Sequence, residues 1–558
     1  MNEVNVLNFP KKTLRIFLLL CLLFSGYCGI VSELSLFNLG TMLLGGTNTT
    51  LLYTMGIMMF SMGIGSFLTE TRWFKNLSFD HFAIVELLLS LLCMISVPVI
   101  HSLTGIYPRH SLIFFIFFSG LIGLLIGMEI PIIMRLNQHL GLDLEQNSAR
   151  VMMADYFGSL MAFVLFPFLL FPTLGVNFSA FSGGVINLLV ALSTFIVGYS
   201  YFERKNLVLI TLLCLCLLAS YLGINLSEFS KIADHRLFRD PVIFSQNTPY
   251  QRLVVTEKKP FNTESYTNRL KEPGTKIFES LDKRFELRRF EESFDNDLRF
   301  FINGGLQFST VDEYRYHEVL THPAKFLVGH IEEVLILGGG DGLVAREILK
   351  YPSIKNVILV DLDQQLTDLF KYSNLAKINE LSLQDSRIKI VNQDAIVFMR
   401  QLDSQKFPLI IIDFPDPYNL HTAKLYSRQF YELVKNVLSP NGIVSVQATS
   451  PLFNRKSFLC IGNTLEEAGF NIQPLKVNMK TFEDWGFYIA SNSITQSQMK
   501  FTLNDFQLPS TIKTRFLDRE AIKACLSFGK DIFYDKDQYH FNDLNRLVIV
   551  QYYKDGLF

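Results

Sequence analysis

The stretch Val334–Leu349, VLILGGGDGLVAREIL, decides the fold of the C-terminal part of the chain. An apolar run meets a cluster of glycines, and a helix-like pattern follows, which is typical of a strand, a tight turn and a helix N-terminus. Such turns usually receive an anionic or polar group of a nucleotide. Asp341 puts a carboxylate into this turn, so the ligand has to account for a negative charge there.

The same pattern continues through residues 331–500, where five apolar runs are separated mainly by helix-like segments. These runs are EEVLILGGG, KNVILVDLD, SRIKIVNQD, FPLIIIDFPDP and NGIVSVQAT. Strands that are apolar throughout and alternate with helices predict an α/β, Rossmann-like domain with a mostly parallel sheet. Ligands of such sheets bind at the carboxyl ends of the strands.

Acidic residues follow each of the first four predicted strands: Asp341, Asp361, Asp394, and the pair Asp413 and Asp416. Each has two interpretations. Asp361 suits a ribose-hydroxyl acceptor about 20 residues past the glycine loop, or it caps its strand. Asp394 is a ligand contact or a helix N-cap. Two aspartates in a loop with two prolines favour cation or amine chemistry, with a pair of turn residues as the alternative.

The N-terminal part has a different composition. Residues 1–230 contain 10 Lys and Arg and 11 Asp and Glu, out of 51 and 52 in the 558-residue chain. So few charges cannot cover a globule with polar surface, which predicts a transmembrane domain in lipid. The balanced charge of the remainder predicts no binding of nucleic acid. Seven apolar stretches are of about membrane-spanning length: 14–36, 51–69, 82–103, 111–131, 152–173, 179–199 and 207–225.

The basic residues and the number of these stretches together predict a location of the C-terminal part that does not suit its chemistry. Basic residues flank alternate ends of the stretches: Lys11, Lys12, Arg15, Arg72, Lys75, Arg135, Arg150, Arg204 and Lys205. The positive-inside rule puts them in the cytoplasm, and seven crossings would then leave the C-terminal part outside. A nucleotide-type domain belongs with cytosolic substrates, so we expect it in the cytoplasm. Residues 34–50 are the candidate for a broken or re-entrant segment that corrects the count.

Four acidic residues fall in or beside the apolar stretches, namely Glu33, Glu86, Glu129 and Asp155. Intramembrane acids are candidates for a functional polar site. The simpler interpretation, which we favour, is that they lie near span ends or bond to neighbouring helices.

Residues 231–330 show short strand-like pieces, QRLVVTEKK, TKIFES, RFELRRFE and LRFFINGGLQFST, which predict a small β region. The Asn303-Gly304-Gly305 turn predicts a hairpin. His317 follows Asp312 and Glu313, but no second histidine stands at ligand spacing, and His322 is placed in a His-Pro turn. We therefore predict no metal site. The predicted domains are 1–230, 231–330, 331–500 and a C-terminal extension, 501–558.

Taken together, the motifs between about 240 and 500 resemble the spermidine synthase (polyamine aminopropyltransferase) family. The closest resemblance is to the bacterial branch with a fused N-terminal membrane domain. The motifs are TPYQRLVVT, LQFSTVDEYRYHEVLTHP, ILGGGDGLVARE, VDLD, NQDAIVFM, DFPDP, LYSRQFY and VSVQATSP.

The resemblance implies transfer of the aminopropyl group of decarboxylated S-adenosylmethionine to a diamine such as putrescine, giving spermidine and methylthioadenosine. The donor is a co-substrate, no cofactor is implied, and we expect a homodimer in the inner membrane. Asp413 would be the catalytic base and Asp341 would hold the aminopropyl amine. The methylthioadenosine part would be held by Gln251, Gly338, Gly340, Asp361, Asp394 and Ala395. The diamine groove would be lined by Tyr316, His317, Asp416 and Gln447.

The sequence departs from the family pattern at three places, which bear on the acceptor more than on the donor. DFPDPYNL replaces the usual Asp-Ser-Ser/Thr-Asp-Pro with its following Gly-Pro, Asp361 stands where Glu is common, and Phe482 lies near an expected tyrosine.

Two other functions stay open. One is a methyltransferase on the same fold, and the other is a polyamine transporter or sensor with a non-catalytic nucleoside domain. Asp341 favours the decarboxylated donor, because its carboxylate attracts an amine and repels the α-carboxylate of ordinary S-adenosylmethionine.

Overall fold

The computed structural model of the chain describes residues 10–44, 48–71, 79–141, 144–238, 240–258, 297–402 and 405–556. It divides into two compact units, Met1–Val254 and Val255–Phe558.

The first unit is helical. Its longer described helices are α1 (Lys11–Leu44), α2 (Ile57–Leu68), α3 (Phe79–Ile106), α4 (Ser111–His139), α5 (Leu144–Leu165), α6 (Phe171–Val197) and α7 (Lys205–Phe238). Two strands follow, β1 (Val242–Asn247) and β2 (Arg252–Lys258), and the division between the units falls within β2. Glycines let helices approach closely: a Cβ on Gly123 of α4 would lie 2.3 Å from the carbonyl oxygen of Met58 in α2, a device common between membrane helices.

Among the described residues, five helical segments are long and apolar enough to cross a membrane: Lys11–Leu44, Phe79–Ile106, Ser111–His139, Glu145–Val197 and Lys205–Asp234. A shorter apolar helix covers Leu52–Leu68. The predicted stretches 152–173 and 179–199 share one helical run of 53 residues. That run is interrupted at Gly175. Its φ of 71° and ψ of 179° form a backbone conformation that glycine adopts readily and other residues rarely adopt.

The prediction of a broken or re-entrant segment at 34–50 is wrong for residues 34–44, because these residues belong to helix α1. At Gly40 the helix packs closely against Thr50, because a Cβ there would lie 2.7 Å from the Thr50 methyl group. Residues 45–47 lie outside the described part of the chain. Glu86 and Glu129 are 0% and 1% exposed within α3 and α4, and among the described residues neither oxygen of the Glu86 carboxylate has a hydrogen-bond partner.

The second unit begins, in its described part, with a hairpin of β3 (Asp297–Ile302) and β4 (Gly305–Ser309). Asn303 and Gly304 adopt φ values of 50° and 82° in the turn, which confirms the predicted hairpin. The pieces TKIFES and RFELRRFE lie outside the described residues.

Two stretches of the predicted β region are helical instead. Residues 231–238 end α7, and Glu313–Val328 form α8. The predicted His322-Pro323 turn is therefore wrong, because Pro323 lies inside α8. His322 is buried there, with Nδ1 2.8 Å from the Tyr351 hydroxyl and Nε2 2.9 Å from a Glu347 carboxylate oxygen, and these partners come from distant sequence.

A seven-stranded sheet follows, in the order β10-β11-β9-β8-β5-β6-β7. Its strands are β5 (Glu333–Gly338), β6 (Asn356–Asp361), β7 (Ile388–Asn392), β8 (Phe407–Asp413), β9 (Leu438–Gln447), β10 (Asn471–Met479) and β11 (Glu483–Ser491). Strands β5 to β9 pair in parallel, and β10 and β11 are antiparallel. The mostly parallel sheet is confirmed.

The longer helices of this unit are α9 (Leu343–Leu349), α10 (Gln364–Tyr372), α11 (Ala395–Arg400), α12 (Arg428–Val437), α13 (Arg455–Glu467), α14 (Gln496–Asn504), α15 (Arg519–Cys525) and α16 (Ile549–Asp555). Fully buried side chains of β9, such as Val444, pack with Phe430 of α12 and Phe458 of α13 in one core. In the central register Gly338 of β5 pairs with Asp413 of β8, so the acidic strand ends meet at one edge of the sheet.

Candidate active site

The glycine loop after β5 requires residues that have no side chain. Gly338, Gly339 and Gly342 have φ values of 81°, 64° and 79°. A Cβ on Gly338 would lie 2.2 Å from the carbonyl oxygen of Asp413, and one on Gly340 would lie 2.7 Å from Oδ2 of Asp361. The loop therefore brings its backbone into contact with two of the acidic strand ends.

Asp361 braces this loop. Its Oδ2 accepts a hydrogen bond from the Gly340 amide at 3.1 Å, and its Oδ1 accepts from the Asp363 amide at 2.9 Å. Burial raises the pKa of Asp361 to about 7, although both amides oppose the shift. The carboxylate thus caps the end of β6, which is one of the two interpretations drawn from the sequence.

Asp394 is the N-cap of α11, which is one of the two interpretations drawn from the sequence. Its Oδ1 accepts from the amides of Ile396 and Val397 at 2.8 and 3.3 Å, and its Oδ2 accepts from Nζ of Lys424 at 2.7 Å. Burial would raise the pKa of Asp394, but Lys424 and the amides outweigh it, and the pKa is lowered. Ala395 is the buried first residue of the helix.

Asp341 lies half-buried in the glycine turn. Its Oδ1 accepts from the Leu343 amide at 2.9 Å, and its carbonyl oxygen accepts from the Asn379 side chain at 2.7 Å. Burial raises its pKa to about 6; His317 acts in the opposite direction and Asp413 adds to the rise. A carboxylate that is expensive to ionise in the free protein gains most when a cation binds beside it.

Asp413 ends β8 and accepts a hydrogen bond from the Tyr316 hydroxyl at 2.6 Å. The Tyr316 ring is held by aromatic neighbours, with ring centroids 4.9 Å from His317 and 5.0 Å from Phe487. Burial raises the pKa of Asp413, while His317 and the Tyr316 bond lower it. A carboxylate with a raised pKa is better suited to accept a proton near neutral pH.

His317 belongs to a chain of buried charges. Its Nδ1 lies 2.9 Å from a carboxylate oxygen of Glu313, and the Arg346 guanidinium donates to both oxygens of Glu313 at 2.8 and 2.9 Å. Nε of Arg346 donates to Glu347 at 2.9 Å. Burial would lower the pKa of His317, but Glu313 outweighs it and the pKa is raised. The raised pKa favours the positively charged form of His317 near Asp341 and Asp413.

Asp416 has three side-chain donors from two segments of the chain. The Tyr553 hydroxyl lies 2.8 Å from Oδ2, the Thr449 hydroxyl 3.4 Å from Oδ2, and the Gln447 amide nitrogen 3.4 Å from Oδ1. Burial raises the pKa of Asp416 to about 6, and the Tyr553 bond is the largest effect in the opposite direction.

Gln447 is engaged chiefly with the protein. Its amide nitrogen donates to the Phe414 carbonyl at 2.7 Å and contacts the Tyr426 hydroxyl, and its oxygen accepts from the Thr449 amide at 3.0 Å. These bonds hold the loop that carries Asp413 and Asp416.

The structure brings all but one of the residues expected in the site into one unit. Gln251 is the exception, since it belongs to the first unit. Its carbonyl there accepts from the Thr248 amide at 2.8 Å. Phe482 lies next to Trp485, with ring centroids 5.0 Å apart. Within the described chain, no group of three or more His, Cys, Asp or Glu side chains is arranged to hold a metal ion.

Sequence reasoning missed three residues of the site: Arg346, Tyr426 and Tyr553. Arg346 stands in the glycine-loop motif, and Tyr426 stands in LYSRQFY, so a closer reading of the helix faces could have marked both. Tyr553 contacts Asp416 across 137 residues of sequence, and no local pattern indicates such a contact.

Comparisons with known proteins indicate the family of this chain. Residues 313–502 match the family described as "Spermine/spermidine synthase domain". The "Polyamine aminopropyltransferase" of Leptospira interrogans is 33% identical over 529 residues, covering 94% of this chain and 95% of that protein. "Polyamine aminopropyltransferase 1" of Streptomyces coelicolor is 35% identical over 525 residues, covering 93% and 90%. The crystal structure of spermidine synthase from Thermotoga maritima is 22% identical, covers 53% of this chain and 88% of its own, and has a TM-score of 0.42.

Proposed function

Because the chain belongs to the polyamine aminopropyltransferase family, we propose that its second unit transfers an aminopropyl group to putrescine or a similar diamine. It is a transferase of the spermidine synthase type, and decarboxylated S-adenosylmethionine is its co-substrate and not a cofactor. One observation carries the choice of acceptor: Asp413 and Asp416 lie in one loop at the edge of the sheet, next to the glycine loop with Asp341. Three carboxylates at one edge of the sheet suit cationic amines on both substrates.

The donor is assigned to the β5 and β6 side. Asp341 binds the aminopropyl ammonium, and Asp361 with Asp394 binds the methylthioadenosine part. Gly338 and Gly340 leave the backbone open to it, and Ala395 completes the set within the second unit. The raised pKa of Asp341 supports this assignment, because the buried carboxylate gains a counter-charge when the ammonium arrives.

Asp413 is assigned the role of base. The lone pair of the acceptor nitrogen forms a bond to the carbon beside the sulfonium, the carbon–sulfur bond breaks, and methylthioadenosine leaves with the electron pair. The sulfonium needs no acid. The acceptor, however, arrives as an ammonium, and Asp413 takes its proton and holds the amine in line with the carbon.

The acceptor groove is assigned to Tyr316, His317, Asp416 and Gln447. Asp416 binds the ammonium of the diamine, and Tyr316 orients Asp413 through its 2.6 Å bond. Gln447 acts through the Phe414 carbonyl, which it holds at 2.7 Å. His317 keeps positive charge beside the acids, which favours their ionised forms.

The first unit is assigned to the inner membrane as a multi-pass domain, with the catalytic unit in the cytoplasm. The five long apolar helices and the need for cytosolic substrates support this assignment. The domain limits that we propose are 1–230, 231–330, 331–500 and 501–558. A reporter fused after Phe558 should be active on the cytoplasmic side, and activity on the periplasmic side would contradict the topology.

Incubation of the purified protein with decarboxylated S-adenosylmethionine and a panel of diamines tests the reaction. Mass spectrometry should detect methylthioadenosine and an acceptor heavier by one aminopropyl group. Ordinary S-adenosylmethionine serves as the control donor. A methylated product from that control would favour a methyltransferase, and binding without any product would favour a sensor or transporter.

A further inference from the structure

We propose that Tyr553 is a positioning residue for the acceptor amine, through the hydrogen bond that its hydroxyl donates to Asp416. The inference rests on the proposed role of Asp416 in binding the diamine. Tyr553 lies in α16, outside residues 313–502 that match the family domain. The C-terminal extension would then take part in acceptor selection.

Tyr553 is the nearest of the three donors to Asp416. Its hydroxyl is 2.8 Å from Oδ2, while Thr449 and Gln447 lie at 3.4 Å. Burial and the adjacent Asp416 raise the pKa of Tyr553, so the hydroxyl keeps its proton and remains a donor throughout the neutral range. Hydrogen bonds to a carboxylate are about twice as strong as neutral ones.

The position of Tyr553 is fixed by anchors before and after it. Asn542 and Ile549 are 0% exposed. The side chain of Asn542 donates to the Ala423 carbonyl at 2.8 Å, and its own carbonyl accepts from the Arg428 amide at 2.9 Å. After Tyr553, Asp555 pairs with Lys456 at 2.8 Å. Helix α16 is therefore docked on the catalytic fold, and the contact with Asp416 is not a chance approach of a loose chain end.

The arrangement gives the hydroxyl a defined task. A carboxylate offers about four acceptor positions. Gln447 and Thr449, at and just after the end of β9, together with Tyr553 from α16, fix the plane of Asp416 and leave space for an ammonium. The Tyr418 hydroxyl accepts a hydrogen bond from the Asn303 side chain at 3.1 Å. Burial and the nearby charge of Asp416 raise the pKa of Tyr418. Loss of the Tyr553 hydroxyl would free Asp416 to rotate and would make it easier to protonate. Both changes would weaken the binding of an ammonium by Asp416.

A purely structural role is the alternative, in which Tyr553 only anchors α16. The substitution Tyr553→Phe separates the two, because it keeps the ring and its packing and removes only the donor. Tyr552→Phe is the matched control: it is the neighbouring residue of the same helix, and its hydroxyl accepts from the His540 amide at 3.3 Å, away from Asp416.

The experiment uses the full chain in detergent or nanodiscs and measures the KM of each substrate, kcat and thermal unfolding. For Tyr553→Phe we expect the acceptor KM to rise about 10-fold and the donor KM to change by less than about 2-fold, because one bond to a charged group is lost on the acceptor side only. Tyr552→Phe should leave both constants unchanged. An unchanged acceptor KM in Tyr553→Phe, or an equal rise for donor and acceptor, would overturn the inference.

Asp416→Asn, measured in parallel, separates this inference from the proposed function. If Asp416→Asn raises the acceptor KM and Tyr553→Phe does not, only the role of Tyr553 fails. If neither variant changes it, the role of Asp416 fails as well. The double variant should show less than the product of the two single effects, because both substitutions remove the same interaction.

Discussion

The two halves of the candidate site use the same side chain in different ways. On the donor side, Asp341, Asp361 and Asp394 each accept from a backbone amide two residues further along the chain. Asp361 also accepts from the Gly340 amide, 21 residues earlier, and Asp394 from Lys424, 30 residues later. On the acceptor side, Asp413 and Asp416 bond to the hydroxyls of Tyr316 and Tyr553, which are 97 and 137 residues away.

The donor half is therefore largely a local feature of strand, turn and helix, whereas the acceptor half exists only in the folded unit. Local amide partners are available to almost any sequence with the right turn. Hydroxyl partners from distant segments must be supplied by specific residues. We therefore expect donor-side and acceptor-side substitutions to have separable effects on catalysis.

The largest effect is expected from Asp413→Asn, because this substitution removes the proposed base from the acceptor half and leaves the donor half unchanged. The amide keeps the shape but cannot accept the proton of the ammonium, so kcat should fall by about 10²–10⁴. The dissociation constant of the donor should change little, since the contacts that we propose for it come from β5, β6 and the helix after β7. Steady-state turnover and equilibrium donor binding would be measured on the same preparation.

A rise of pH should partly rescue Asp413→Asn by supplying free amine. Turnover close to that of the unsubstituted protein would contradict Asp413 as the base and direct attention to His317.

The next effect concerns Asp341→Asn. Loss of the charge-assisted bond to the aminopropyl ammonium should weaken donor binding by about 1.5–3 kcal/mol. It should also narrow the discrimination against ordinary S-adenosylmethionine. Calorimetric titration with both donors checks this, and the acceptor KM serves as the internal control. Equal relative affinity for the two donors before and after substitution would mean that Asp341 only caps the following helix.

A smaller effect is expected from pH. The pKa of Asp341 and of Asp416 is raised to about 6 by burial. A raised pKa means that each group takes up a proton as pH falls through about 6, and each then loses its attraction for an ammonium. The donor KM and the acceptor KM should both rise toward a limit of about 10-fold per pH unit below that point. In Asp341→Asn only the donor profile should become flat, and in Asp416→Asn only the acceptor profile. If the donor and acceptor KM profiles both became flat in either variant, the two halves of the site would not act separately.

The smallest effect is expected from Lys424→Met. Lys424 pairs with Asp394 at 2.7 Å, but its side chain is 34% exposed. Pairs of this kind contribute less than about 1 kcal/mol, and the N-cap amides still hold Asp394. The donor KM should therefore rise by less than about 5-fold, which enzyme kinetics at low and high salt would reveal. A loss comparable to that of Asp341→Asn would show that the donor side also depends on distant partners.

The local structure around the proposed donor residues could be predicted from the sequence, because it depends on neighbouring residues. Apolar runs, glycines with positive φ and a carboxylate two residues before an amide are all local, and the five parallel strands and the Asn303-Gly304 hairpin were predicted correctly. Helix α8 was missed because its aromatic residues and Pro323 argue against a helix locally. Contacts of the whole unit decide otherwise, such as the bond from the Ser445 hydroxyl to the Leu320 carbonyl at 2.6 Å.

The acceptor half could be predicted only as a set of residue types. The sequence pointed to Asp413 and Asp416 but not to the hydroxyls that orient them, because a contact across 137 residues leaves no periodic signal. In the first unit, apolar length located the helices. It did not reveal that the two stretches on either side of Gly175 form one interrupted run.

The distant tyrosine contacts also imply an order of assembly. Closing a long loop costs more entropy than forming a short turn, and contacts far apart in sequence form late in folding. The glycine turn with Asp341 and Asp361 depends on neighbouring strands, whereas the Asp416 pocket waits for helix α16 to dock. During refolding, affinity for the donor should therefore return before turnover does, and an incompletely folded enzyme would hold its donor without consuming it.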